Sequence, residues 1–451
     1  VDLFNGRLAG DLASWATVII MHGARQSAGT FGMDIRSSTV MHANKSLTTI
    51  PSSKPSRFEV YVAQLSIILV LMQSTLVAGV PFSFTATPMV FAIGAISGGA
   101  REHRLMFWSA AAGMAFVLYA LLVDVQFGAA LKSGVGFVAF FVSLIYFPVL
   151  LRRMTPHTSL HFWLPQVLVV LFFILEFSQI LSLKELGVVS WRLSAEQQMS
   201  TKLFFDNRPS GMFGEPSWLG LSLAALFRLS IVKRQFVVPS ALIVGAVIFL
   251  SGSSLGLIAW ACTLVPAFKA VSAVRDSEIR SGGTRNHSEF VGPILAVVAS
   301  SVLLTAVLYY AGSDMSLAIL EKISDPLGNA SGVSRYMAPV YFLGETLSDS
   351  PLFGMGMHYI PDFLIGRTGA AVLPFNVLIE LGMVGLLFYF LVGFAQVRYY
   401  KPSVFDLMLC LVILGGLGLQ YTAFQGALVS LPIVASYLER VQASQANGTL
   451  A

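Results

Sequence analysis

The chain has 451 residues, 55% of them hydrophobic and 11% charged, with a mean hydropathy of +0.75. Soluble domains carry about 25% Asp, Glu, Lys and Arg, so disorder, a collagen-like fibre and nearly every soluble globular fold are excluded. The net charge of +5 then reads as the positive-inside bias of a membrane protein rather than a nucleic-acid footprint, and the 39 Gly suit helices that approach closely in a bilayer.

Residues 1–57 are mixed in polarity and carry Arg7, Arg25, Arg36, Lys45, Lys54 and Arg57. Their one apolar run, 13–21, is too short to span a membrane, so the segment reads as a cytoplasmic N-terminal tail. Twelve spans are expected next, at 59–79, 80–98, 104–123, 134–151, 161–183, 216–232, 235–251, 252–270, 290–311, 371–396, 402–419 and 423–438. Gly426, Pro432 and several polar residues interrupt the last. A tight turn, Leu250-Ser251-Gly252-Ser253-Ser254, joins the seventh and eighth. The expected fold class is all-α: a polytopic integral membrane protein with about 12 transmembrane helices over 58–440 and a short cytoplasmic tail at 441–451.

With the N-terminus inside, alternation puts Arg101, Arg104, Arg152, Arg153, Arg228, Lys233, Arg234, Lys269, Arg275, Arg280, Arg285, Arg398, Lys401 and Arg440 on the inner side. Short outer loops keep only Lys132. The alternation never breaks, which supports an even span count with both termini cytoplasmic.

Two long outer loops remain, 184–215 and 312–370. Long connections without secondary structure of their own are uncommon unless functional. The first holds Lys184, Arg192, Lys202, Arg208 and Glu215; the second holds Lys322, Arg335, His358, Asp362 and Arg367. Long loops translocate regardless of charge, which is one reading of this basic excess; a site for a polyanion on the outer face is the other. Within the second loop Met337, Val340 and Tyr341 share one helix face, with Pro339 as a defect in it. Residues 351–358 (PLFGMGMH) read as a turn whose two glycines permit a close backbone approach.

Candidate chemistry collects at these loops. RPSGMFGEPSWLG (208–220) puts Pro216 in the first turn of a helix and Glu215 at its start, where the dipole favours an acid. The same carboxylate, at the mouth of a bundle cavity near Arg208, can act as a base or orient a hydroxyl. Arg208 and Arg335, one from each loop, can clamp a diphosphate, because a guanidinium binds phosphate bidentately. A lone loop arginine is more commonly just solvated, so the pair carries the idea. His22, His42, His103, His157, His161 and His287 fall on the inner side; His358 faces outward, either as an imidazole base or packed beside Tyr359. Glu176 and Glu380, within spans, are costly unless paired or facing a cavity. Glu380 shares its span with Asn376 and can meet an arginine or serve as a hydrogen bond between helices. Asp406 and Glu59 sit near the inner interface, where water can solvate them. Cys262 and Cys410, in apolar runs, read as small core residues. The sequence has no Asp-x-Asp or Asp-Asp pair, no phosphate loop and no H-E-x-x-H, so neither a metal nor a cofactor is expected.

Three stretches resemble a known family. RPSGMFGEPSWLG (208–220) is similar to an R-x-x-G-x-F-x-E-P motif, and SGVSRYMAPVYFLGETLSDSPLFGMG (331–356) to a Ser/Gly-x-Arg helix followed by P-L-x-G-x-G. FNVLIELGMVGLL (375–387) is similar to a span carrying E-x-G-x-x-G after an Asn, and SGSSLG (251–256) also fits. In order, spacing and topology the combination resembles the bacterial Wzy-type polysaccharide polymerases of the O-antigen ligase/polymerase superfamily.

The resemblance implies a GT-C-like multi-span fold with periplasmic loops at 184–215 and 312–370. It implies a metal-independent glycosyltransferase in the bacterial inner membrane that polymerises undecaprenyl-diphosphate-linked oligosaccharide repeats at the periplasmic face. Arg208 and Arg335 would stabilise the diphosphate leaving group, and Glu215 and His358 remain alternative bases. The expected substrate-binding set is Arg192, Lys202, Arg367, Asn376 and Glu380. Partners would be the lipid-linked donor and acceptor, membrane lipids and a chain-length regulator, with no nucleic acid. Phe375 stands where ligases carry His before the Asn, which favours a polymerase over an O-antigen ligase acting on lipid A core. The gap from Asn376 to Glu380 is also shorter than usual in the family. An alternative of another class is a transporter of a lipid-linked glycan or anion, in which Glu176 and Glu380 would matter most.

Overall fold

The computed structural model describes residues 61, 65, 68, 76–77, 80–123, 125–154, 163–180, 209–213, 215–234, 236–280, 338–357, 359, 373–416 and 422–446. Among them the chain is helical apart from one short ladder. In chain order come β1 (Leu76–Val77), β2 (Val80–Pro81), α1 (Phe82–Ser97), α2 (Ala100–Leu122), α3 (Phe127–Met154) and α4 (Trp163–Phe177). They are followed by α5 (Pro216–Ile231), α6 (Val237–Leu250), α7 (Ser254–Arg280), α8 (Ala338–Asp349), α9 (Leu373–Tyr400), α10 (Val404–Gly416) and α11 (Ala423–Ala446). Helices satisfy their backbone hydrogen bonds within one segment, as a bilayer requires. Among the described residues four helices are long and apolar enough to cross a membrane: α2, α3, the first 20 residues of α7, and α9.

Each expected span from 80–98 to 252–270, and each from 371–396 to 423–438, falls on one of the helices α1–α7 and α9–α11, of which α2, α3, α7 and α9 are the four of spanning length and apolarity. The span expected at 290–311 and the tail 1–57 lie outside the described residues. The boundary expected between 59–79 and 80–98 is corrected. Leu76 pairs with Pro81 and Val77 with Val80 in an antiparallel ladder, and Pro81, lacking an N–H, cannot propagate a helix there. The helix expected around Val340 and Tyr341 is α8, Ala338–Asp349, and Met337 lies outside the described residues.

The interior is built on α5 and α11. From Leu219 to Ile231 every residue of α5 is buried, as expected of a helix apolar on all sides. It packs against α7, α11, α6 and α4, while α11 packs against α3, α10 and α5. Small residues set the crossings: a Cβ on Gly220 would lie 2.7 Å from Cα of Gly256 on α7, and one on Gly426 would collide with the carbonyl of Phe140 on α3. Gly426 therefore lets α11 sit against α3 rather than weakening a span. The outside is apolar too. Leu387, Phe390, Leu391 and Phe394 form one exposed stripe along α9, a face suited to lipid rather than water.

One end of the bundle is tied by ions. Arg228 of α5 is 1% exposed. Its Nε donates to Asp406 Oδ1 of α10 at 2.5 Å and its Nη1 to Glu439 Oε1 of α11 at 2.7 Å. Ser403 and Ser436 donate to the remaining lone pairs of Asp406 Oδ2. Asp406, expected to be solvated, is instead 1% exposed. The reason is Arg228, a cation deep in an apolar helix that needs a carboxylate. At the same end Arg101 stacks 4.1 Å above the Tyr399 ring and donates to the Ala395 carbonyl at 2.7 Å. Arg152 donates to the Tyr399 hydroxyl at 2.8 Å, and Arg440 donates to the carbonyls of Tyr400, the last residue of α9, and of Lys401 just beyond it.

Removing the Arg228 side chain strands the buried carboxylate of Asp406, which is 1% exposed, while Glu439 at 30% stays in reach of water. Arg228→Ala is expected to cost about 3–5 kcal/mol, read as a lowered melting temperature in detergent. The triple variant Arg228→Met, Asp406→Leu, Glu439→Gln should recover most of that loss.

Candidate functional site

The stretches singled out by sequence gather at the opposite end. The C-terminal ends of α9 and α11 meet through Arg440, and Arg228 of α5 meets Glu439 near the end of α11. The starts of α5, α9 and α11 therefore share the other end, where Phe213 and Trp218 pack against Phe424.

In the first stretch, Ser210 and Gly211 turn the chain into α5. Glu176, at the end of α4, accepts hydrogen bonds from both amides with one oxygen, Oε2, at 2.6 and 2.5 Å. The charge expected to need a partner is thus engaged by backbone. Ser210 closes the turn by donating to the Phe213 carbonyl at 2.6 Å. Met212 and Phe213 are buried below it. Pro216 opens α5 and Glu215 is its N-cap residue, in extended conformation. Its side chain does not bond the helix amides; Oε2 accepts from Ser217 Oγ at 3.0 Å. Glu215 is partly exposed.

The second and third stretches interlock. In an unbroken α9 the amides of Met383 and Val384 would donate to the carbonyls of Ile379 and Glu380. Those two bonds are replaced by four to the 351–356 turn. Met355 N donates to Ile379 O at 2.8 Å and Gly356 N to Glu380 O at 3.0 Å, while Met383 N donates to Pro351 O and Val384 N to Leu352 O, each at 3.0 Å. Gly382 makes the break with φ 63° and ψ −165°, a region open essentially to glycine alone. Gly354 has φ 72°, and a Cβ there would lie 2.5 Å from the backbone of Glu380 and Gly382. Gly354 of P-L-F-G-M-G and Gly382 of E-L-G-M-V-G thus meet backbone to backbone.

Beside the interlock lies an open cleft of 390 Å³. Tyr119 and Val123 at the end of α2 form one wall; Asp349, Ser350, Gly354 and Tyr359 form the other. The Tyr119 hydroxyl is 3.0 Å from Ser350 Oγ and donates to the Gly354 carbonyl at 3.1 Å. Among the described residues the lining includes no Lys, Arg or His, and no three metal-ligating side chains stand together.

Of the candidate residues, Arg192, Lys202, Arg208, Arg335, His358 and Arg367 lie outside the described residues. Asn376 and Glu380 are one turn apart on α9, both buried, at 0% and 1% exposure, and the Glu380 carbonyl belongs to the interlock. Sequence reasoning missed Tyr119 because its partner Ser350 is 231 residues away and no local pattern joins them. It missed the break in α9, although glycines within an apolar span at 382 and 385 were a legible sign. The chain matches no known family model and no curated protein.

Glu176→Ala leaves the Ser210 and Gly211 amides without this acceptor and is expected to cost about 1–3 kcal/mol. Glu176→Gln keeps an acceptor and should cost less, both read from melting curves of the purified protein. Gly382→Ala forces a Cβ against the Leu352 carbonyl and should collapse the yield of monodisperse protein in size-exclusion chromatography.

Proposed function

We propose that the protein is a metal-independent membrane glycosyltransferase of the Wzy type, polymerising lipid-diphosphate-linked oligosaccharide repeats at the outer, periplasmic face of an inner membrane. The observation that carries the reading is the convergence of its motif stretches. Residues 351–356 and 380–385 interlock at the end of the bundle that also holds 209–220, opposite the ionic layer on the side assigned to the cytoplasm.

The chemistry follows from the residue types. An acceptor hydroxyl attacks the anomeric carbon of the donor sugar, the bond to the diphosphate oxygen breaks, and the hydroxyl proton passes to a base. Arg208 and Arg335 take the negative charge that develops on the leaving diphosphate; fixed donors in a site poor in water do this without reorganisation. Glu215, partly exposed at the start of α5, or His358 accepts the proton. Arg192, Lys202 and Arg367 draw the anionic substrate to this face, and the polyprenyl chain lies against apolar helix faces such as the α9 stripe. Twelve spans and two cytoplasmic termini complete the arrangement. Phe375, 38% exposed at the start of α9, offers no imidazole, so a polymerase is preferred to a ligase.

The test is glycan length in the native host with its own gene deleted and complemented. Wild type should restore a ladder of long chains, and Arg335→Ala at equal protein level should leave single repeats. Normal chain length with loss of attachment to lipid A core would make the protein a ligase. No change on deletion would refute glycosyl transfer.

A further inference from the structure

The geometry points to a sugar subsite in the cleft beside the interlock, which takes one uncharged pyranose residue and rejects acidic sugars; as a place for the glycan it rests on the glycosyltransferase reading. Its volume, 390 Å³, falls within the range of roughly 300–1,000 Å³ typical of small-molecule sites. The lining pairs two aromatic rings, Tyr119 and Tyr359, with a row of acceptors: the Asp349 carboxylate, the Ser350 hydroxyl and the Gly354 carbonyl. A pyranose presents the matching chemistry, with C–H faces for the rings and hydroxyls that donate to the acceptors. The Tyr119 ring is fixed by hydrogen bonds of its hydroxyl to Ser350 and Gly354 and by Phe353, whose ring lies 5.5 Å away.

Charge sets the selectivity. Asp349 is exposed at the rim, and an ionised carboxylate only accepts hydrogen bonds. The Asp349 carboxylate repels a uronic acid, and among the described lining residues no Lys, Arg or His offsets that charge. The cleft also exists only while the turn is locked into α9, since Ser350, Gly354 and Met355 line it and Gly354 and Met355 are held by the interlock. The subsite and the break in the helix are therefore one construction.

The experiment is saturation-transfer NMR on the full chain in nanodiscs, with methyl α-glucopyranoside, methyl β-galactopyranoside, N-acetylglucosamine and glucuronate as probes. At least one neutral probe should show saturation transfer and glucuronate none. Val123→Trp, at a wall position 39% exposed, fills the cleft and should abolish the signal without lowering the melting temperature. Asp349→Ala should weaken binding roughly tenfold, the loss of one hydrogen bond to a charged acceptor. No transfer to any neutral probe, equal binding of glucuronate, or an undiminished signal in Val123→Trp would overturn the subsite. Chain length in the complemented host separates the two ideas. A restored ladder without sugar binding sinks the subsite alone, and sugar binding with no change in chain length on deletion sinks the polymerase alone.

Discussion

A single guanidinium organises the core. Arg228 lies on the helix with the most buried surroundings, and its two carboxylate partners come from two other helices. In a low-dielectric interior an unpaired cation is far more costly than a paired one. Helices α5, α10 and α11 can therefore reach their final packing only in the register that brings Arg228, Asp406 and Glu439 together. Apolar packing alone would tolerate sliding and rotation among such uniformly greasy helices. The ion pair removes that freedom, and the glycine contacts at 220, 256 and 426 then bring the backbones close enough to keep it.

The other end solves a different problem with backbone instead of charge. An irregular stretch inside a membrane helix leaves carbonyls and amides that lipid cannot satisfy. The 351–356 turn supplies partners for all four groups freed at the α9 break. The 351–356 turn is thereby fixed to α9 by four backbone hydrogen bonds. Because the turn also builds one wall of the cleft, the same hydrogen bonds that repair the helix shape the surface beside it.

Much of this could be read from sequence, because apolar runs and their boundaries are local facts. The helices at 216–231 and 237–250, the Ser–Gly turn at 251–253, Pro216 at a helix start and the glycine turn after 351 all follow from residue type over a few positions. What escaped depends on partners distant in the chain. Asp406 near a helix end reads as solvated until Arg228 is placed against it. Gly426 reads as a flaw until the Phe140 carbonyl occupies the space its side chain would need. Gly354 and Gly382 each suggest a bend, but only their contact shows that one bend fills the other. The described parts of the three motifs gather at one end of the bundle, but the cleft was not legible, because its tyrosine and serine come from opposite halves of the sequence.

The interlock is also made of main-chain groups, which every residue except proline carries. Met383 and Val384, whose amides it uses, leave their side chains about half exposed. Substitution there therefore changes the surface beside the cleft without removing a bond, whereas Gly354 and Gly382 admit no side chain. One patch of this face can thus vary in chemistry while the helices beneath stay as they are.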